Sequence, residues 1–227
     1  MEYEGFMELV KKRRSSWEFK PDPIPDDMIE KIIDAARYAP SGFNSQPWEF
    51  IVIKEQELRD RIRDIFAEHL PSQRVKPGMK DPMGFKTAPV LITLYGDPRV
   101  RPFAPSPVQQ SDEIWRSIMT SSLAISYQYM HLAAASLGLS TRWVSAINTP
   151  PIERKVKALL GVPEEFMTYD MMALGTTDFI PSEKKMRALS ELIHYGLCNK
   201  SDFRTDEEVK AYFGEGYSIG YSPMKTP

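Results

Sequence analysis

The stretch that most limits the fold is Glu113–Leu137, EIWRSIMTSSLAISYQYMHLAAASL, which is apolar nearly all round and closes at Gly138. A helix that is apolar on every side has to be surrounded, so this segment reads as a central buried helix with Gly138 as its C-cap. Its small residues Ser121, Ser122, Ala124 and Ser126 let a second helix approach closely. Core packing within one subunit and a helix-packed dimer fit that pattern equally.

Short buried strands are read at Phe50–Ile53, Val90–Tyr95, Thr141–Ile147 and Met171–Leu174, from their apolar and β-branched runs. Between them lie helical patterns: Phe6–Val10, a helix opened by Pro25-Asp26-Asp27, Glu55–His69 with Leu58, Ile62, Ile65 and Phe66 on one face, and Ile152–Leu160. Strands separated by helices indicate a single α/β or α+β domain, and 227 residues can bury one sizeable core. Residues 71–87 and 97–112, the second with four prolines, read as loops beside a site. Residues 176–187 read as a loop ending in the basic set Lys184, Lys185 and Arg187. The tail from Cys198 to Pro227 holds an acidic helix candidate, Thr205–Phe213, but too little apolar surface to fold alone.

Composition matters mainly for what it excludes. A net charge of −2 gives no bulk field toward nucleic acid or an anionic membrane, so neither is expected as a partner. Lone Cys198 rules out an internal disulfide framework and fits a reducing cytoplasm. The amino terminus lacks a continuous apolar segment of the secretory kind, and no apolar run approaches the ~20 residues that span a bilayer. A cytoplasmic location is expected. His69, His131 and His194 are scattered without ligand spacing, so no metal site is expected. Walker A and Gly-x-Gly-x-x-Gly patterns are absent, which argues against tightly held dinucleotide.

The chemistry concentrates in Arg37–Ile53, RYAPSGFNSQPWEFIVI: a helix tail, a polar loop through Pro40, Ser41, Gly42 and Asn44, then a buried strand. That loop offers backbone N–H groups, a hydroxyl and carboxamides, with Phe43 and Trp48 as flat apolar surface. Two basic clusters add to it. Arg13, Arg14 and Ser15, and far along the chain Lys185 and Arg187, supply the guanidinium, ammonium and hydroxyl groups that a phosphate monoester wants. Taken alone, each cluster reads as a solvated charged face.

Together, RRSSWEFKPDPIP and APSGFNSQPWEF resemble the amino-terminal signature of the FMN-dependent nitroreductase family. That signature runs roughly Arg-Arg-Ser-x-Arg-x-Phe and then Ala-Pro-Ser-x-x-Asn-x-Gln-Pro-Trp before a strand. The likeness extends over the whole chain and is weakest at 71–112 and 198–227. It implies an α+β, three-layer α/β/α fold with a mixed central sheet, in an interlocked homodimer. Residues 1–197 would be the FMN-binding domain, and 198–227 an extension wrapping the partner. By the same resemblance, Arg13, Arg14, Ser15, Lys185 and Arg187 would hold the FMN phosphate and ribityl chain. Pro40, Ser41, Gly42 and Asn44 would reach the isoalloxazine from the neighbouring subunit. Trp143, Val144 and Ser145 would line the redox edge, with Ser145 nearest N5.

Trp17 departs from the family pattern, standing where a second basic residue is usual; it reads as core, or as packing on the cofactor. The implied activity is NAD(P)H-dependent reduction of nitroaromatic, quinone or other conjugated acceptors by a ping-pong mechanism, NADH or NADPH stacking transiently on the flavin. The deiodinase-like branch has a threonine where this chain has Ser145, which leaves single-electron chemistry open. The alternatives are a specialised member, a dehalogenase or a flavin-destroying synthase, and a non-enzymatic flavin carrier or sensor.

Overall fold

The centre of the molecule is strand β2, Val90–Gly96, whose seven residues are all buried. An apolar, β-branched run of that kind is stable only when both its faces and both its edges are covered. The computed structural model describes residues 2–70, 83–181 and 184–219, the side chains of 214–219 excepted. In it, β2 is flanked by β1 (Trp48–Ile53) and β4 (Met167–Gly175), and β4 by β3 (Ser140–Val144), in the order β1-β2-β4-β3. These strands pair antiparallel throughout. The parallel element of the mixed sheet read from the sequence is an isolated bridge, Ser15 to Thr141, at the β3 edge.

Successive side chains point to opposite faces. One face packs Trp48, Ile92, Leu94, Met172 and Leu174 against Ile29 and Ile32 of α2 (Asp26–Arg37) and Leu123 and Met130 of α5 (Asp112–Ser136). The other packs Ile53, Leu91, Met171 and Ala173 against Ile62 and Phe66 of α3 (Gln56–His69) and Ile152 and Val156 of α6 (Pro150–Leu160). The result is the expected α+β fold in three layers.

Helix α5 is the long helix of the sequence, with Ser111 Oγ accepting from Ile114 N at its start. It stops in a Schellman arrangement: Leu139 N donates to Ala134 O at 2.9 Å and Gly138 N to Ala135 O at 3.2 Å, with Gly138 at φ 77°. It is not enclosed on all sides, since Ile114, Ile125 and Tyr129 remain exposed. Helix α1 (Tyr3–Lys12) buries no residue fully.

Two expectations need correction. Residues 97–112 are not loop but a 3₁₀ helix, Pro98–Phe103, followed by α4, Ser106–Gln110. Pro98 and Pro107 fall in the first turn of each, where the missing N–H costs nothing. The third strand ends at Val144, and Ser145–Asn148 is a 3₁₀ turn. Most of the loop read at 71–87 lies outside the described residues. Its end folds inward: Phe85 is buried beside Phe66, and Thr87 Oγ1 accepts from Phe19 N at 3.1 Å.

The chain divides into two compact units between Phe179 and Ile180. The second holds short 3₁₀ turns at Leu189–Glu191 and Lys200–Asp202 and helix α7, Asp206–Ile219. Among the described residues, no helix is long and apolar enough to cross a membrane.

Candidate active site

Three stretches of the first unit carry the residues of interest: two lie side by side at β3, and the third rests on α5. The first follows α1. Arg13 caps that helix, and the chain then runs extended along β3: Ser15 bridges Thr141, and Ser16 N donates to Thr141 O at 2.9 Å. Ser16 Oγ donates to Glu18 O at 2.7 Å, and Lys20 N to Thr176 O at 2.8 Å, so the strap is tied at both ends. Burial, and then the neighbouring charge of Arg14, hold the Arg13 guanidinium below its usual pKa. Two like charges at a half-buried turn are a place an anion would relieve.

The second stretch is the arc from Trp143 to Asn148. Trp143 lies on the α5 side of the sheet, stacked on His131 (5.3 Å, 10°) and edge-on to Tyr127 (4.6 Å). The residue is still 38% exposed, so part of it is open to solvent. Val144 turns into the opposite core, and Ser145 is exposed at the start of the 3₁₀ turn. Beneath the arc, Asp170 of β4 accepts from Trp143 Nε1 at 2.5 Å and Asn148 Nδ2 at 2.9 Å. Burial pushes its carboxyl pKa up to about 6 against the lowering effect of those two bonds. His131 bonds Thr141 Oγ1 through Nδ1 at 2.7 Å. Burial, and then the charge of Arg13, bring its pKa down to about 3, so the ring is neutral. Its buried Nε2 has no hydrogen-bond partner among the described residues.

The third is the loop 40–46. Gly42 N donates to Ser122 Oγ at 3.1 Å, and a Cβ at Gly42 would come within 2.2 Å of Ile118 Cγ2, so only glycine allows this approach to α5. Ser41 Oγ accepts from Gln46 N at 3.0 Å. Phe43, Asn44 and Gln46 all have positive φ, at 59°, 52° and 44°. Asn tolerates that region, while Phe and Gln do so under strain. The consequence is an exposed Phe43 ring held out from the surface.

The sequence pattern that defines the nitroreductase family matches residues 10–176. The chain belongs to that family. A protein of Methanothermobacter thermautotrophicus provisionally named an NADH dehydrogenase/NAD(P)H nitroreductase is 27% identical over 171 residues, covering 74% of this chain and 75% of its own. Mouse iodotyrosine deiodinase 1 is 28% identical over 211 residues, 85% of this chain and 70% of its own. Among solved structures, the nitroreductase CinD of Lactococcus lactis in complex with nicotinic acid has a TM-score of 0.71 at 19% identity, covering 85% of this chain and all of its own (100%). NfrA2 of B. megaterium gives 0.73 at 18% identity over 97% of this chain and 87% of its own. These two establish the fold.

Against this nitroreductase frame, the residues singled out in the sequence sort into three groups. Arg13, Ser15 and Trp143 come together: Ser15 bridges β3, Arg13 acts electrostatically on His131, and His131 stacks on Trp143. Arg14 follows Arg13 in the same turn. Pro40, Ser41, Gly42 and Asn44 sit against α5 at Ser122, five residues before Tyr127 and nine before His131. Lys185 and Arg187 belong to the second unit, where Arg187 Nη2 donates to Glu191 O at 2.8 Å and Lys185 Nζ lies 5.8 Å from the Tyr212 ring.

Trp17, where the nitroreductase pattern usually has a basic residue, is half-buried, with the Arg142 guanidinium 3.1 Å from its ring centroid. A cation from β3 thus lies over the unusual residue. Sequence reasoning did not single out Tyr127, His131, Asn148, Tyr169 or Asp170. The available signal was Asp170, one acid in the otherwise uncharged run FMTYDMMALG.

Proposed function

We propose that this nitroreductase-family protein is an FMN-dependent oxidoreductase that takes electrons from NADH or NADPH and passes them to a conjugated or aromatic acceptor. The observation that carries it is the Ser15–Thr141 bridge. It joins the segment that carries Arg13, Arg14 and Ser15 to β3, the strand that runs on to Trp143 and Ser145.

The residues fit the group. Crowded guanidinium groups at Arg13 and Arg14 suit a dianionic phosphate, and a planar ring beside a hydroxyl suits an isoalloxazine. FMN, when bound, supplies reversible hydride acceptance. The chain's part is then to bind and orient. Arg13, Arg14 and Ser15 would hold the phosphate, and the family resemblance alone would add Lys185 and Arg187. Trp143 and Val144 would line the redox edge of the ring, and the Ser145 hydroxyl would be the donor offered to it. No protein acid or base is required, since protons can come from solvent.

We further propose a homodimer. Ile125 and Tyr129 on α5, and Tyr3, Phe6 and Val10 on α1, leave an apolar outer face that a second copy would cover. The loop 40–44 would then serve the partner's flavin, and residues 198–227 would wrap the partner as an extension of the domain 1–197. The cytoplasmic reading rests on composition and the free Cys198.

A second reading is favoured by relatives named iodotyrosine deiodinase in mouse and in Thermotoga neapolitana (25% identity over 183 residues). With Ser145 near N5, the acceptor would be a halogenated aromatic. Two electrons and a proton would replace the carbon–halogen bond with carbon–hydrogen, releasing halide.

The test is an absorption spectrum of the purified protein, then anaerobic titration with NADH and with NADPH. A flavin spectrum bleached by either nucleotide supports the reductase and names the donor. Bound flavin that neither nucleotide bleaches favours the dehalogenase reading with another electron source. Protein that takes up no FMN overturns both.

A further inference from the structure

Strand β4 carries an irregularity at one point. Leu94 of β2 pairs with Asp170, but the next residue, Tyr95, pairs with Thr168, so Tyr169 is an extra residue on β4. A bulge re-aims the side chains beside it. In a regular strand Tyr169 and Asp170 would face opposite sides. Here both serve the α5 face: Tyr169 lies 5.6 Å from Tyr127, and Asp170 bonds Trp143.

Asp170 is 6% exposed and makes no ion pair among the described residues. Burying a carboxylate in that way is costly unless its oxygens are bonded. Each oxygen has one use. Oδ2 accepts from Trp143 Nε1 at 2.5 Å, and Oδ1 accepts from Asn148 Nδ2 at 2.9 Å. The Asn148 amide also donates to Tyr169 O. Trp143 lies near the end of β3 and Asn148 closes the 3₁₀ turn, so one carboxylate grips both ends of a six-residue arc with Ser145 inside it.

We propose that Asp170 is a positioning residue, whose two carboxylate oxygens fix the 143–148 arc and with it the Trp143 ring plane and the Ser145 hydroxyl presented to the flavin. This rests on the FMN reading given above. Carboxylate is the required chemistry because both partners are donors. An amide at 170 would turn one N–H toward another N–H and keep one bond at most.

The experiment uses the full chain and Asp170→Asn. Amide hydrogen exchange without added FMN should rise about tenfold across 143–148, the scale of one lost hydrogen bond to a charged group, while α3 and α6 keep their protection. FMN affinity, by fluorescence titration, should fall by about the same factor. Trp143→Phe/Asp170→Asn should then bind FMN no worse than Trp143→Phe alone, because the second change removes a bond already gone. Unchanged exchange over the arc would overturn the proposal. So would exchange that rises equally in α3 and α6, which marks a general loss of packing, or additive losses in the double variant.

If Asp170→Asn does not fold, Asn148→Ala at an exposed position removes one donor and should raise exchange about threefold. No rise would again overturn the proposal. Wild-type protein that takes up no FMN would sink the flavin reading by itself, and the grip on the arc would then be decided by exchange alone.

Discussion

The two faces of the sheet are built to different rules. The cluster against α3 and α6 is a set of aliphatic and phenyl side chains, Ile53, Ile62, Phe66, Phe85, Ile152 and Met171 among them. The face toward α5 buries Ser122, Ser126, Tyr127, His131, Thr141 and Asp170. Buried imidazole and carboxylate are confined to that side among the described residues. The other side buries polar groups too, Thr93 on β2 and Lys157 on α6, but an imidazole and a carboxylate are disfavoured in a core without gain, and their place on one face marks where the fold serves chemistry. The α3 face supplies stability; the α5 face gives up some of it to hold Trp143, Asn148 and Thr141 in place.

Breaking the dry face should therefore cost the most and matter least to function. Phe66 is fully buried and edge-on to Phe85 at 5.0 Å. Phe66→Ala should lower unfolding free energy by about 3–5 kcal/mol in denaturant titration. FMN affinity per folded molecule should stay at the wild-type value. A proportionate loss of FMN binding would mean that the two faces are not separable.

The polar face should show itself through pH. His131 has a folded pKa of about 3 against 6.5, so its contribution is full above pH 6.5 and is lost as pH falls toward 3. Asp170 has a folded pKa of about 6 against 3.8; its contribution is full below 3.8 and is lost as pH rises through 6. Between about pH 4 and 6 the two slopes oppose and nearly cancel. Asp170→Asn removes one of them, so between pH 6 and 4 that variant should lose about 2 kcal/mol more than the wild type does. Thermal or urea unfolding across that window checks it. A variant as flat as the wild type would remove Asp170 from the titration.

The phosphate end gives the next test. Arg13→Ala with Arg187→Ala should weaken FMN binding about a hundredfold, the effect of two charge-assisted contacts, with little change in stability. Retention of stoichiometric FMN by the double variant, measured after gel filtration, would refute that assignment.

How far these features could be read in the sequence depends on their range. Local signals sufficed for α5, whose Ser111 cap and Gly138 stop bracket the expected helix within a residue, and for the buried run of β2. They failed for 97–112, where prolines signalled loop although they stand at helix starts. They failed again at Ser145, where β-like residues run on past the strand because Ile147 fills the α3 core. Arg13, Ser15 and Trp143 were legible as family motifs. Asp170 was not, because its role comes from the bulge, and a bulge is set by pairing with Leu94 and Tyr95, distant in sequence. Strain at Phe43 was equally hidden, since nothing in the residue type foretells a positive φ.

The smallest effect sharpens the comparison most. Helices α5 and α6 end alike, one on each face: Gly138 at φ 77° and Gly161 at φ 69°, each followed by a bond back to the helix, Leu139 N to Ala134 O and Val162 N to Lys157 O. A Cβ at either would meet nothing within 4 Å, so alanine carries only the backbone cost of a left-handed residue. Each change should lower stability by about 1 kcal/mol, equally on both faces. FMN affinity distinguishes them. Gly138 stands two residues before β3, on the chain that leads to the arc, while Gly161 leads away from it. If the arc is held from below by Asp170, Gly138→Ala should leave FMN affinity within about threefold of wild type, as Gly161→Ala does. A larger loss at Gly138 alone would show that the helix end, not the buried carboxylate, sets the arc. The polar character of the α5 face would then need a different reason.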